Sequence, residues 1–339
     1  MNKKIIKIMV YVLSVPFLAA VVFGALLIIY ATSPIESGSA SNVIVDIPTG
    51  SSFFKATKIL DRSGLVKNRP LFYSLAMVKN ASRSIKAGEY EVSTDLTPSE
   101  LIDKLLRGEV KPYRVTIHED FNLRQVAARL NEFKMIDEKA FFDLAGDKSF
   151  LNSTGILADS IEGYLYPDTY LLNRSMTTRQ IIRMMVNRFW SKITPEMINR
   201  AAERGLSLHE FVTFASLVGR ETGYKAEKPL VAAVFYNRIK KRIPLQSDPT
   251  TVYDLEDFDG RVLRSHYRRE SPYNTYRIRG LPPGPIGNPG IDSFLAVLNP
   301  ADVGYLYFVS QKDGTHFFSS TLEEHNRAVR RFREASRSN

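Results

Sequence analysis

Four acidic side chains stand where their neighbours could put them to work: Glu162, Asp168, Glu221 and Asp248. Glu221 has the clearest setting. Ser207 and Glu210 have the spacing of a capping box, which marks the start of a helix. Phe211, Phe214, Ala215 and Val218 then recur on one face, and Glu221 falls at the edge of that apolar stripe, on the flank shared with Phe214 and Leu217. Gly223 offers a left-handed stop just beyond it. A carboxyl in the last turn, half against a core, is raised in pKa by desolvation and by the negative end of the helix dipole. A carboxyl kept protonated near neutrality suits a general acid for a glycosidic oxygen. The same spacing also allows a solvated Glu221 paired with Arg220 or Lys225.

The other carboxylates lie in turns. Glu162 and Asp168 flank Gly163-Tyr164-Leu165-Tyr166-Pro167, and Asp248 precedes Pro249. Aspartate before proline is commonly a turn former. A two-carboxylate hydrolase would need one of them at a defined separation from Glu221. The stretch from Ile243 to Pro289 is dense in Pro, Gly, Tyr and Asn, and a loop of that length in a compact domain is functional or disordered. Its aromatics argue against disorder. Tyr253, Tyr267, Tyr273 and Tyr276, with Asn274 and Gln246, combine ring faces and amides, which suit the C–H faces and hydroxyl edges of a sugar. A rigid loop with tyrosines packed for stability has the same composition.

Other chemistries lack residues. The five histidines are scattered, and His316 and His325 join no compact ligand set. With no cysteine there is no thiolate nucleophile, disulfide or thiolate metal site. No nucleophile elbow, P-loop or dinucleotide fingerprint occurs. The expectation is an enzyme without metal or cofactor.

The elements that must position these groups follow from hydropathy. Ile8 to Ala31 carries no charge and is long enough to cross a bilayer, with Pro16 tolerated inside it. Lys3, Lys4 and Lys7 precede the run and no basic residue follows until Lys55, so the charge asymmetry puts the N-terminus in the cytoplasm and the rest outside. A cleaved signal peptide is the alternative, but the run is longer than a usual signal core and Ala31-Thr32-Ser33-Pro34 is a poor cleavage site. Ser33 to Asn42 reads as a flexible linker. A strand-then-helix pattern then occurs twice, at Val45-Asp46-Ile47 with Leu60 and at Val115-Thr116-Ile117 with Leu130, at equal spacing. Between them Lys86 to Val92 alternates as a strand, and Thr97-Pro98-Ser99-Glu100 opens a helix ending near Gly108. Beyond Gly155 helices are expected over Thr178–Ser191, Pro195–Arg204, Ser207–Thr222 and Lys228–Arg242, and a buried strand at Tyr305–Val309 pairs with Phe317-Phe318 across Asp313-Gly314.

The 339 residues are 44% hydrophobic and 24% charged, with a net charge of +10. Basic residues are interleaved with acids except for Arg327, Arg330, Arg331 and Arg333 near the C-terminus. That balance suits a protein beside an anionic wall and membrane surface rather than a nucleic-acid binder.

Several motifs carry a resemblance. Ile161-Glu162-Gly163-Tyr164-Leu165-Tyr166-Pro167-Asp168-Thr169-Tyr170, Ala215-Ser216-Leu217-Val218 with Glu221-Thr222, and Gln246-Ser247-Asp248-Pro249-Thr250 resemble the endolytic murein transglycosylase family (MltG, YceG-like). So do Ser271-Pro272-Tyr273-Asn274-Thr275-Tyr276, Gly280 to Ile286 with Asn288-Pro289, Tyr305 to Val309, and Glu324-His325-Asn326. Motif order and spacing agree from about Val45 to the C-terminus. The resemblance implies a lyase in which Glu221 protonates the glycosidic oxygen after N-acetylmuramic acid. Glu221 then helps the C6 hydroxyl of that sugar close on C1, leaving a 1,6-anhydro end without a second carboxylate. It further implies a LysM-like module before the catalytic part, and penicillin-binding proteins and other wall-synthesis proteins as partners; Gln246, Asp248, Tyr273, Asn274, Tyr276 and Glu162 are the expected glycan contacts.

The sequence departs from the family pattern twice. His118-Glu119-Asp120 stands where Pro-Glu-Gly is usual, and Gly219-Arg220 where Glu-Lys is common.

The resulting expectation is an α+β protein of the bacterial cytoplasmic membrane. It has a cytoplasmic tail and transmembrane helix (1–33), a linker (34–42), a LysM-like α+β module (43–150) and a mixed α+β transglycosylase domain (151–339) acting on peptidoglycan glycan strands. The rivals are a non-catalytic, membrane-anchored wall-binding scaffold and a two-carboxylate muramidase.

Overall fold

A computed structural model describes residues 3–36, 38, 40–81, 84–311 and 313–335. The chain forms two compact units, Met1–Tyr113 with Asn173–Ser175, and Arg114–Leu172 with Met176–Asn339.

The first unit opens on a 30-residue helix, Lys3–Thr32. Tyr11–Thr32 within it is long and apolar enough to cross a membrane, with mean hydropathy 2.7. Its apolar side chains from Tyr11 to Leu18 stand exposed, as a helix with no protein partner on any side requires. Its foot does have partners: Leu27, Tyr30 and Ala31 pack on the core of the unit. The segment expected to be a flexible linker is partly fastened. Ile35 is buried and its N–H donates to Leu96 O at 2.9 Å, while Glu36 N–H donates to Thr94 O at 2.8 Å. The expectation rested on Ser, Gly and Pro content and overlooked Ile35; Ser37 and Ser39 lie outside the described residues.

Strands Asn42–Ile47 and Gly88–Ser93 then pair antiparallel, with Val45 opposite Tyr90. Helices Phe53–Arg62, Arg69–Val78 and Pro98–Arg107 cover them. Thr97 and Glu100 form the expected capping box, and Gly108 closes that helix in a left-handed conformation, φ 69°. Val45, Ile47, Leu60, Phe72, Tyr90, Leu101 and Leu105 fill the core.

The second unit begins at Arg114, not near residue 150. The second strand-and-helix copy, Tyr113–Thr116 with Leu123–Glu132, repeats the local structure of the first. Its strand pairs with Thr169–Leu172, beyond the Glu162 to Tyr170 motif, and so belongs with the larger unit. Strand–helix grammar is the same in both copies; pairing across more than fifty residues decides the boundary.

The rest of this unit holds the helices Glu138–Ala145, Lys148–Ser153, Thr178–Lys192, Pro195–Glu203, Leu208–Glu221, Lys228–Lys240 and Ile291–Leu298, a long loop between the last two, a hairpin, Tyr307–Ser310 and His316–Ser319, and a final helix, Leu322–Ala335. Phe308 lies opposite Phe318 and Gly314 turns the hairpin with φ 89°. The first strand of the hairpin, expected to be buried, is half-buried, and Phe308, Val309 and Ser310 in it border a cleft. Leu208–Glu221 is the hub. Every residue from Phe211 to Gly219 is buried, so the helix is enclosed on all sides rather than presenting one stripe. Phe211 packs on Phe294 with ring centroids 5.1 Å apart, and Phe214 on Tyr236 at 4.6 Å.

Candidate active site

The helix Leu208–Glu221 starts at the capping box of Ser207 and Glu210 and ends at Glu221 itself. Its stop differs from expectation. Thr222 is the cap, in extended conformation (φ −143°, ψ 130°), and Gly223 does not take up a left-handed turn. Glu221 therefore lies where an enclosed helix emerges from the core, and its side chain reaches the floor of a cleft of about 420 Å³.

The surroundings of that carboxyl set its proton affinity. Burial pushes its pKa up to about 7. A hydrogen bond from Ser247 Oγ to Glu221 Oε1 opposes this, the negative charge of Asp248 adds to it, and Arg238 and Arg220 oppose it more weakly. Neither cation considered from the sequence pairs with Glu221. Arg220 Nη1 donates to Asp120 O at 3.2 Å, and Lys225 pairs with Asp292 at 2.9 Å.

Asp248 opens a short 3-10 turn, Asp248–Thr251, as an aspartate before proline suggests. Its carboxylate still reaches the cleft, held by Tyr276 Oη at 2.6 Å and Tyr267 Oη at 3.1 Å. Gln246 sits beside it in a left-handed conformation, φ 51°, with its N–H donating to Thr275 O at 3.1 Å. Gln246 and Tyr276 also line the cleft. Four residues singled out from the sequence thus converge: Glu221, Gln246, Asp248 and Tyr276.

The other three stand elsewhere. Asn274 is fully buried and pins the loop, donating to His266 O, Tyr267 O and Arg269 O and accepting from Tyr276 N–H. Tyr273 packs on Tyr253, ring centroids 4.7 Å apart. Glu162 is buried and accepts from Leu123 N–H (3.0 Å), Tyr253 Oη (2.9 Å) and Asn288 Nδ2 (3.1 Å). Among the described residues none of these three borders the cleft that holds Glu221, and Glu162 borders a separate hollow with Arg124, Tyr253 and Asp254. Composition does not separate a tyrosine or amide that faces a ligand from one that braces the loop.

Sequence reasoning missed several lining residues. Arg238, buried on the neighbouring helix, donates to Leu306 O at 2.6 Å and Leu245 O at 2.7 Å, tying the hairpin to the Gln246 loop. His316 comes from the hairpin. Its Nδ1 and Glu227 Oε2 are 2.8 Å apart and its N–H donates to Glu227 Oε1 at 2.8 Å. His325, stacked 5.3 Å from Tyr307, is held below the usual imidazole pKa by burial and by Arg238. His316 and His325 are far from Glu221 in the chain, and no local pattern links them to it. Ser247 was within reach, since it sits between Gln246 and Asp248.

Among the described residues no group of three or more His, Cys, Asp or Glu could hold a metal ion. The arrangement is a cleft of mixed polar and apolar lining that holds one raised carboxyl, one tethered carboxylate, a guanidinium and two imidazoles. Such a site can transfer a proton to and from a bound substrate.

A mixed helix-and-sheet protein with an apolar N-terminal helix and an acid of this kind defines a class, and comparison places the chain within it. The model of the YceG-like family matches residues 45–331. The chain belongs to that family. It is 33% identical over 315 residues to the endolytic murein transglycosylase of Bacillus subtilis (strain 168), covering 88% of this chain and 87% of that protein. It is 28% identical to the endolytic murein transglycosylase of Streptococcus pneumoniae serotype 2 (strain D39 / NCTC 7466), over 91% of this chain and 61% of the longer relative. A crystal structure of a yceG-like protein from Listeria monocytogenes superposes with a TM-score of 0.60 at 31% identity, covering 84% of this chain and 98% of that one.

Proposed function

We propose that this chain is a membrane-anchored endolytic murein transglycosylase, a lyase that cuts within peptidoglycan glycan strands. The observation that carries this reading is the cleft floor: a carboxyl pushed up to about 7 beside a second carboxylate that two tyrosine hydroxyls hold in place. Glu221 in its acid form protonates the glycosidic oxygen, and the bond from C1 to that oxygen breaks. Positive charge builds at C1 and on the ring oxygen, and the charge of Asp248 favours it. The C6 hydroxyl of the N-acetylmuramic acid then bonds to C1, and its proton returns to the Glu221 carboxylate. One group serves as acid and then as base, and no water is consumed.

Product mass tests this reading against a two-carboxylate muramidase. The lyase releases anhydro-ended muropeptides, one water lighter than hydrolytic products. Reducing-end products alone would assign the cleft to hydrolysis, and no product at all would favour a scaffold. The rate also carries a signature. Because the acid form of Glu221 is required, kcat/KM for the free enzyme should fall as pH rises through about 7. A profile flat from pH 6 to 9 would remove Glu221 from the proton transfer.

The other parts fit around this activity. Lys3, Lys4 and Lys7 on one side of Tyr11–Thr32 support an N-terminus in the cytoplasm and a catalytic part outside the cytoplasmic membrane of a bacterium. The first unit, two strands under three short helices, is a LysM-like module that adds glycan affinity. Cutting nascent strands near their synthases limits their length, which makes penicillin-binding proteins and other wall-synthesis proteins the partners.

A further inference from the structure

Two residues of the second unit that are individually unfavourable meet near the end of the helix Leu208–Glu221. Gly219 stands two residues before it in the buried helix, and glycine weakens a helix interior. Asp120 holds φ of 65°, a left-handed conformation that glycine adopts most readily. A Cβ on Gly219 would lie 1.9 Å from Asp120 Oδ1, so the Asp120 carboxyl occupies the space that a side chain at 219 would need.

The contact is built on both sides. Asp120 N–H donates to Asn288 O at 2.8 Å, and Asp120 O accepts from Arg220 Nη1 at 3.2 Å. Gly287 leaves the carbonyl room, since a Cβ there would lie 2.6 Å from it. Next to it, Glu119 pairs with the buried Lys228 at 3.3 Å, whose ammonium also donates to Ser293 Oγ at 3.0 Å. Asp120 Oδ1 itself is buried without a hydrogen-bond partner among the described residues. A buried acid without such a partner is costly.

We propose that Asp120 and Gly219 are a matched pair. The Asp120 carboxyl fills the space that the missing side chain at 219 leaves, and there it positions the last helical turn and hence Glu221. Asp120 is a positioning residue that acts through the backbone of Gly219 and Arg220. The proposal rests on the reading of Glu221 as the acid.

The test is a cycle of Asp120→Gly, Gly219→Glu and the double variant in the full chain, purified in detergent and assayed on soluble uncross-linked glycan strands. Asp120→Gly relieves the left-handed backbone, so it should melt within about 3 °C of wild type. Its kcat should nevertheless fall by about tenfold to a hundredfold, with KM within about twofold, because the acid is misplaced while the binding residues are untouched. Gly219→Glu alone forces two carboxyls into one space and should melt lower by about 5 °C or more. The double variant should recover the melting temperature and return kcat to within about threefold of wild type. Wild-type kcat in Asp120→Gly, or a double variant no better in kcat than the worse single one, overturns the proposal. Melting does not depend on catalysis, so non-additive melting temperatures would establish the pairing even if Glu221→Gln remained active; only the positioning of the acid would then fall.

Discussion

Glu221→Gln should leave a folded protein that releases anhydro-ended muropeptides from purified sacculi about 10⁴ times more slowly than wild type, or slower. Glutamine keeps the size of the side chain and one carbonyl, so the packing of Phe214, Leu217 and Val218 behind it is undisturbed. Stability should shift within about 1 kcal/mol, and thermal melting run alongside the assay checks this. What disappears is the transferable proton. General acid–base catalysis is commonly worth about 10² to 10⁴ in rate, and here one group serves both steps, which places the loss at the upper end. A folded variant keeping more than about a tenth of the wild-type rate would lie outside that range and end the assignment. Asp248 would then be the next carboxylate to examine, because it shares the cleft, and Glu162 would not.

Glu162→Ala should damage the protein in a different way. Its carboxyl collects Leu123 N–H, the Tyr253 hydroxyl and the Asn288 amide in one buried place. Alanine leaves Leu123 N–H and the Tyr253 hydroxyl without an acceptor, at about 1–3 kcal/mol each where water cannot replace it, while the Asn288 amide keeps only its bond to Phe121 O. The melting temperature should drop by about 6–12 °C, from a loss of roughly 3 kcal/mol in a unit of this size. Below the transition, KM for soluble glycan should stay within about twofold of wild type, since Glu162 is outside the cleft. A stable variant with a strongly raised KM would instead make Glu162 the sugar contact that the sequence suggested. The pH dependence of the same group has a definite sign. Burial raises the folded pKa to about 7 from an ordinary 4.5, so the folded state holds the proton more tightly. The stability tied to this proton is fully present below about 4.5 and is lost as pH rises through about 7.

The two variants separate what local pattern reveals from what it does not. Glu221 was legible because its signal is local: a capping box at Ser207 and Glu210, an apolar repeat, and an acid in the last turn. The Thr97 capping box, the Gly108 stop and the hairpin at Gly314 were legible for the same reason, since caps and turns are set by residues a few positions apart. Glu162 was conspicuous in its motif, but a conspicuous acid carries no sign of whether it meets a ligand or a backbone N–H from forty residues away.

By itself the sequence determined the apolar N-terminal helix, most helix and strand positions, the family and the acid at the end of the buried helix. All of these follow from hydropathy, periodicity and motif order within short windows. Tertiary structure alone decided that the second strand and helix belong to the larger unit, since that rests on the pairing of Tyr113–Thr116 with Thr169–Leu172. It also decided which loop residues face the cleft. Tyr276 holds Asp248 there while Asn274, two residues earlier, turns inward to the backbone. Arg238 borders the cleft from the helix Lys228–Lys240, His316 and His325 border it only because the hairpin packs on that helix and the final helix on the hairpin, and the Asp120 carboxyl fits only because position 219, 99 residues on, has no side chain. Such contacts join residues whose separation along the chain is arbitrary, and packing in three dimensions is what selects them.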